Sequence, residues 1–139
     1  MIKSLIVLVF CFVSVRALSQ EWIPIGETIS HAKFFIRSTY VSKGKDILHQ
    51  IKFIRIWIRT EYEQKEIKGQ NYINPYSLNL YDVDRANQKL RMVSATVYDG
   101  EGKVLTSDDF GEFKFTNPIP DTMEETIVNK VCEMFGGKK

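Results

Sequence analysis

The sequence predicts an antiparallel α+β domain: a meander of β-strands followed by one terminal α-helix. Three observations carry this. The stretch IKFIRIWIRTEY, Ile51 to Tyr62, alternates strictly, with Ile54, Ile56 and Ile58 on one side and Arg55, Trp57 and Arg59 on the other. That period of two marks a half-buried strand. Further segments rich in β-branched and aromatic residues are separated by short polar turns, as in antiparallel sheets. After Pro118 and Pro120 the period changes, and DTMEETIVNKVCEMFGG repeats its apolar residues at helical steps. Strands first and a helix last, without βαβ alternation, define the α+β class.

The elements follow in chain order. EWIPI, Glu21 to Ile25, is a short edge strand, the setting in which Pro24 is acceptable. AKFFIRSTYV, Ala32 to Val41, is a second strand. SKGKD, Ser42 to Asp46, reads as a turn punctuated by Gly44, leading into the long alternating strand. The polar run EQKEIKGQNYINP, Glu63 to Pro75, reads as a long loop. YSLNLYDVD, Tyr76 to Asp84, and LRMVSATVY, Leu90 to Tyr98, are strands joined by DRANQK. DGEGK, Asp99 to Lys103, is a hairpin turn whose two glycines supply positive φ. Val104 to Ser107 pairs back, and EFKF, Glu112 to Phe115, is a short last strand. In the helix, over about residues 122–135, Thr122 is the N-cap and Glu125 completes a capping box. Ile127, Val128, Val131, Cys132 and Phe135 form one apolar stripe. Gly136 suits the C′ position, and Lys138 and Lys139 the negative end of the dipole.

The first residues, MIKSLIVLVFCFVSVRALSQ, have the layout of a secretory signal peptide: Lys3, an apolar run over Leu5 to Val15, then the small residues Ala17 and Ser19. The run is shorter than the roughly 20 residues a membrane helix needs. Residues 1–19 are the expected signal, with cleavage after Ala17 as the second choice. Phe10 ahead of Cys11 disfavours a lipoprotein cut. Residues 20–139 then form one domain, which no later apolar run anchors in a bilayer. Nineteen Lys and Arg oppose seventeen Asp and Glu; without Lys3 and Arg16 the counts are seventeen each. Such neutrality gives no bulk attraction to nucleic acid. Cys11 leaves with the signal and Cys132 remains. An odd cysteine in an exported chain suggests an intermolecular bridge, an unbridged thiol or a lost partner. Its place on the apolar stripe favours a buried thiol acting as a small hydrophobe.

Catalytic signatures are missing: no G-x-S-x-G, Walker, C-x-x-C or H-E-x-x-H motif occurs. His31 and His49 lie on different elements without metal-ligand spacing. Asp82 and Asp84 share one strand face, which could hold a divalent cation but more commonly marks a solvated strand end. The expectation is a non-enzyme with no cofactor and no metal. Arg55, Trp57 and Arg59 form the candidate binding surface, since Trp and Arg dominate binding hot spots. The competing account is a sheet's outer face with the arginines covering the indole.

Several stretches carry a resemblance. EWIPIG, FFIRSTYV, IRIWIRTEY, YDVDRANQKLRMVSATVYDGEGKVL and IPDTMEETIVNKVC together resemble the surface-adhesin protein E family of Gram-negative bacteria. The resemblance covers nearly all of the chain after the signal. It implies a curved antiparallel sheet of about six strands with the C-terminal helix on its concave face. It also implies a disulfide from helix to sheet. Tyr81-Asp82 matches the family's strand end, but Val83 stands where the family has cysteine, while Cys132 is kept on the helix. The implied role is an exported envelope protein, in the periplasm or at the cell surface, that binds an unknown protein partner. The alternative is a periplasmic protein for a small ligand or cation. A cystatin-like inhibitor is disfavoured because there the helix comes early.

Overall fold

The computed structural model describes residues 21–111 and 114–136. The expected signal, part of the EFKF strand and the last two lysines lie outside the described residues. Among the described residues there are nine strands: β1 (Trp22–Glu27), β2 (Lys33–Arg37), β3 (Ser42–Asp46), β4 (Ile51–Glu61), β5 (Gln64–Ile67), β6 (Gln70–Ile73), β7 (Tyr76–Asp84), β8 (Lys89–Tyr98) and β9 (Val104–Asp109). One helix, α1 (Met123–Phe135), follows. Seven strands form one antiparallel sheet in the order β1-β2-β4-β7-β8-β9, with β3 also on β4. The long strand β4 makes this possible. One of its edges pairs with β3 over Ile51–Arg55 and with β2 over Ile58–Glu61. Its other edge pairs with β7 over Ile54–Glu61.

The pleat of β4 divides the domain into two faces. Ile54, Ile56 and Ile58 are buried and point to the helix side. Tyr81 and Val83 of β7 stand beside them, and Leu90 and Met92 of β8 continue the layer. Burial in this apolar layer pushes the Tyr81 phenol well above its ordinary pKa. Helix α1 packs against β1 and β8. It buries Ile127, Val128 and Val131, with Cys132 and Phe135 half-buried at the margin of the same cluster. The stripe read from helical spacing is therefore the stripe that packs.

Two segments that read as turn or loop are strands. SKGKD forms β3 because Gly44 lies opposite Phe53 on β4, and the ring sits over the glycine. A Cβ at Gly44 would come within 2.4 Å of that ring, so the residue is a close-approach glycine rather than a turn former. The polar run after β4 forms the hairpin β5–β6, a separate two-stranded sheet. Lys68 and Gly69, at φ 51° and 79°, make a turn of the primed kind that hairpins favour. In the DGEGK turn only Gly102 has positive φ. Gly100 is needed instead because a Cβ there would lie 2.9 Å from the Ile73 carbonyl oxygen.

The helix ends also differ from expectation. Thr122 is the N-cap residue, but its hydroxyl donates to the Ile119 carbonyl at 2.6 Å and makes no cap bond. Glu125 reaches the backbone N–H of Asp121 at 3.5 Å, so the capping box does not close on Thr122. The turn after Pro118 offers Thr122 an acceptor that competes with the cap. At the other end, Arg85 from the β7–β8 turn donates to the carbonyls of Phe135 and Gly136. These carbonyls have no acceptor role within the helix, and a cation there also suits the dipole.

Val83 and Arg85 thus attach the helix, with Asp84 shaping the turn between them. Val83 belongs to the apolar cluster against which Cys132 packs. Asp84 accepts from the backbone and side-chain N–H groups of Asn87, at 3.2 and 2.8 Å, and so shapes the turn. Arg85 then holds the helix end. Val83→Cys is expected to form a bridge to Cys132 under oxidising conditions and to stabilise by roughly 2–4 kcal/mol. Denaturant unfolding with and without reductant checks this; equal midpoints would show that the two positions do not meet.

Candidate functional site

The sheet face opposite the helix carries the candidate residues. Arg55, Trp57 and Arg59 alternate with the buried isoleucines and lie on this face, where each is half-buried. They share a strand side but enter three different environments. On β7, Asp82, Leu80 and Leu78 stand directly opposite them.

Arg55 belongs to a charge network. Its Nε donates to Asp82 Oδ1 at 2.7 Å and its Nη2 to Oδ2 at 3.0 Å. Arg91 of β8 donates through Nε to Asp82 Oδ2 at 3.0 Å and through Nη1 to Asp46 Oδ2 at 3.0 Å. Asp46 also accepts from the His49 backbone N–H at 3.1 Å and from His49 Nδ1 at 3.0 Å. The Asp82 side chain is 0 % exposed and that of Arg91 3 %. The guanidinium carbon of Arg91 lies 4.3 Å from the centre of the Phe115 ring and 5.2 Å from that of Phe53. The hydrogen bonds to His49, together with that from Arg91, pull the Asp46 carboxyl down to about 2 against the residual cost of burial.

This arrangement corrects the reading of Asp82 and Asp84. Both carboxylates are buried, not solvated. Asp82 is bound by two arginines, and Asp84 by Asn87. Among the described residues, no group of three or more His, Cys, Asp and Glu side chains is arranged to hold a metal ion. His31 lies in the β1–β2 turn against Glu27 and His49 in the β3–β4 turn, on separate parts of the domain.

Trp57 lines a cleft of about 380 Å³ with Trp22, Arg37, Tyr40, Val41 and Leu78. Strand β1 brings Trp22 there, opposite Arg37 of β2. The cation over an indole in this cleft is Arg37, 4.9 Å from the Trp22 ring centre. Arg59 instead lies 4.0 Å from the Tyr76 ring centre and donates to Glu61 at 2.8 Å. Tyr76 stacks on Tyr98 at 4.8 Å, extending the aromatic surface across β7 and β8. Trp22 and Arg37 were not legible as site residues. Their meeting with Trp57 depends on the β1–β2–β4 pairing, and only the alternation of apolar and polar residues in each strand hints at it.

The model of the surface-adhesin protein E family matches residues 22–133. The chain belongs to the surface-adhesin protein E family. Searches of curated proteins and of solved structures return no match. The match spans every strand and nearly the whole helix, so the charge network and the aromatic cleft both fall within this adhesin-like domain. No helix among the described residues is long and apolar enough to cross a membrane.

Two predictions test the network. Asp82→Ala leaves Arg55 and Arg91 facing a buried gap and is expected to cost about 3–5 kcal/mol, read by urea unfolding. A loss under 1 kcal/mol would show that the arginines relax to water. For Asp46 the folded pKa lies below the unfolded one. Its contribution to stability is therefore present above about pH 4 and is lost as pH falls through about 2. Melting temperatures between pH 5 and pH 2 should fall less steeply for Asp46→Asn than for the wild type.

Proposed function

We propose that this chain is an exported, non-enzymatic envelope protein of a Gram-negative bacterium that binds another protein through the sheet face opposite the helix. The observation that carries the reading is the cleft holding both tryptophans, Trp57 and Trp22, with Arg37 beside them. Large aromatics next to arginine, half-exposed on a rigid sheet, are the composition of binding hot spots. Pairing with Leu80 of β7 holds Trp57 in the middle of the long strand β4, so little order is lost when a partner docks. The family assignment supports adhesion as the role of that contact. The N-terminal pattern of Lys3, the apolar run and Ala17-x-Ser19 supports export, with the mature chain facing the periplasm or the outer surface.

The test uses cells expressing the full chain on surfaces coated with extracellular-matrix proteins. Trp57→Ala is expected to weaken attachment about 30-fold, the scale of a hot-spot truncation. Arg59→Ala should have a smaller effect, because Glu61 and Tyr76 already engage its guanidinium. Wild-type attachment by a Trp57→Ala protein with an unchanged melting temperature would rule out this face. Protease treatment of intact cells reports the compartment: a released fragment places the domain outside.

A further inference from the structure

The β3–β4 hairpin ends in a tip that the adhesive face does not use. Ile47 and Leu48 at its apex are 79 % and 85 % exposed. They are adjacent in sequence, and the turn holds them outward. Asp46 accepts two bonds from His49, Gln50 Nε2 donates to the Ile47 carbonyl at 2.8 Å, and Gln50 adopts φ 57°. Arg91 anchors Asp46 from below at 3.0 Å. A turn bonded in this way does not fold its apolar side chains back onto the domain.

Behind the apex stands a positive collar. Lys45 and Lys52 lie directly opposite each other in the β3–β4 register, and Lys43 follows two residues back. Like charges directly across a strand pair are destabilising. All three lysines are exposed, and among the described residues none has a carboxylate within ion-pair distance. Beside the tip is a cleft of about 410 Å³, lined by Lys45, Arg55 and Arg91 together with Ile47, Leu48 and Phe53, where Asp46 is already bound to Arg91 and His49. The domain is near-neutral overall, so this concentration of cations is local.

We propose that the β3–β4 tip docks on an anionic phospholipid surface, with Ile47 and Leu48 entering the acyl boundary and Lys43, Lys45 and Lys52 lying among the headgroup phosphates. Two unfavourable features, exposed aliphatic side chains and opposed ammonium groups, are relieved together by a surface that is apolar inside and negative at its rim. A second copy docking tip to tip would oppose the two lysine collars, so charge disfavours it. The inference is independent of the protein-binding role of Trp57.

The experiment uses residues 20–139, which contain the described domain and omit the apolar leader that would itself enter lipid. Co-sedimentation is measured with vesicles of phosphatidylcholine alone and with 30 % phosphatidylglycerol. Binding is expected to the anionic vesicles and to weaken with added salt. Lys45→Gln with Lys52→Gln should lower affinity about 25-fold, taking about fivefold per lysine. Ile47→Ser with Leu48→Ser should abolish binding while the melting temperature stays level. Leu48→Trp should add an emission that shifts to the blue on anionic vesicles. Trp57→Ala should bind vesicles like the wild type. Equal binding to both vesicle types, no binding to either, or tip variants that bind like the wild type would overturn the proposal. Loss of cell attachment in tip variants without vesicle binding by the wild type would assign the tip to a protein partner and also overturn it.

Discussion

A carboxylate in the middle of a sheet must be paired, and Asp82 is bound by two arginines on the strands to either side of it. The pairing of Arg55, Asp82 and Arg91 ties β4, β7 and β8 in one register. A slip of one residue would turn Asp82 into the isoleucine layer under the helix, where no cation waits. Burial of the ions is costly, and the short bonds offset that cost only in this register. The network thus selects one alignment of the sheet as much as it stabilises it. The extra residue Val93 in β8 belongs to the same constraint, since the register shifts there and keeps Arg91 opposite Asp82.

The consequences reach both faces. On the helix side, Tyr81 and Val83 flank Asp82 and point into the core, so fixing Asp82 fixes the floor on which Val128 and Val131 rest. One turn later, Asp84 and Arg85 shape the β7–β8 connection and hold the helix end. The helix attachment combines apolar packing at Val83 with a guanidinium at the last carbonyls. On the open side, Arg91 extends the network to Asp46 and so to the β3–β4 tip. The tip is held at its base by an ion pair with a buried arginine, which is why its apolar apex can remain in solvent.

The two proposed interaction surfaces lie at different places in this frame. The aromatic cleft stands where β1, β2 and β4 meet, and its tryptophans are set by strand pairing. The lysine-collared tip projects from the end of β3 and β4. A domain with one contact for a protein and another for a lipid surface would be held at the membrane while it binds.

The sequence by itself determined β4 and α1, because the alternation of Ile54, Ile56 and Ile58 and the spacing of Ile127, Val128 and Val131 are local signals. It also determined that Arg55, Trp57 and Arg59 share one side, since parity along a strand needs no partner. Tertiary structure alone decided the rest. SKGKD is a strand because the Phe53 ring covers Gly44, a contact between chains of atoms nine residues apart that composition does not reveal. The polar β5–β6 hairpin has no apolar face to betray its period. Asp82 and Asp84 looked like solvated carboxylates until pairing brought Arg55 and Arg91 to the first and the turn brought Asn87 to the second. Trp22 joined Trp57 only through the register of three strands. In each case the deciding energy is a contact that the linear pattern does not display, since a pattern along one chain records which side a residue faces but not what meets it there.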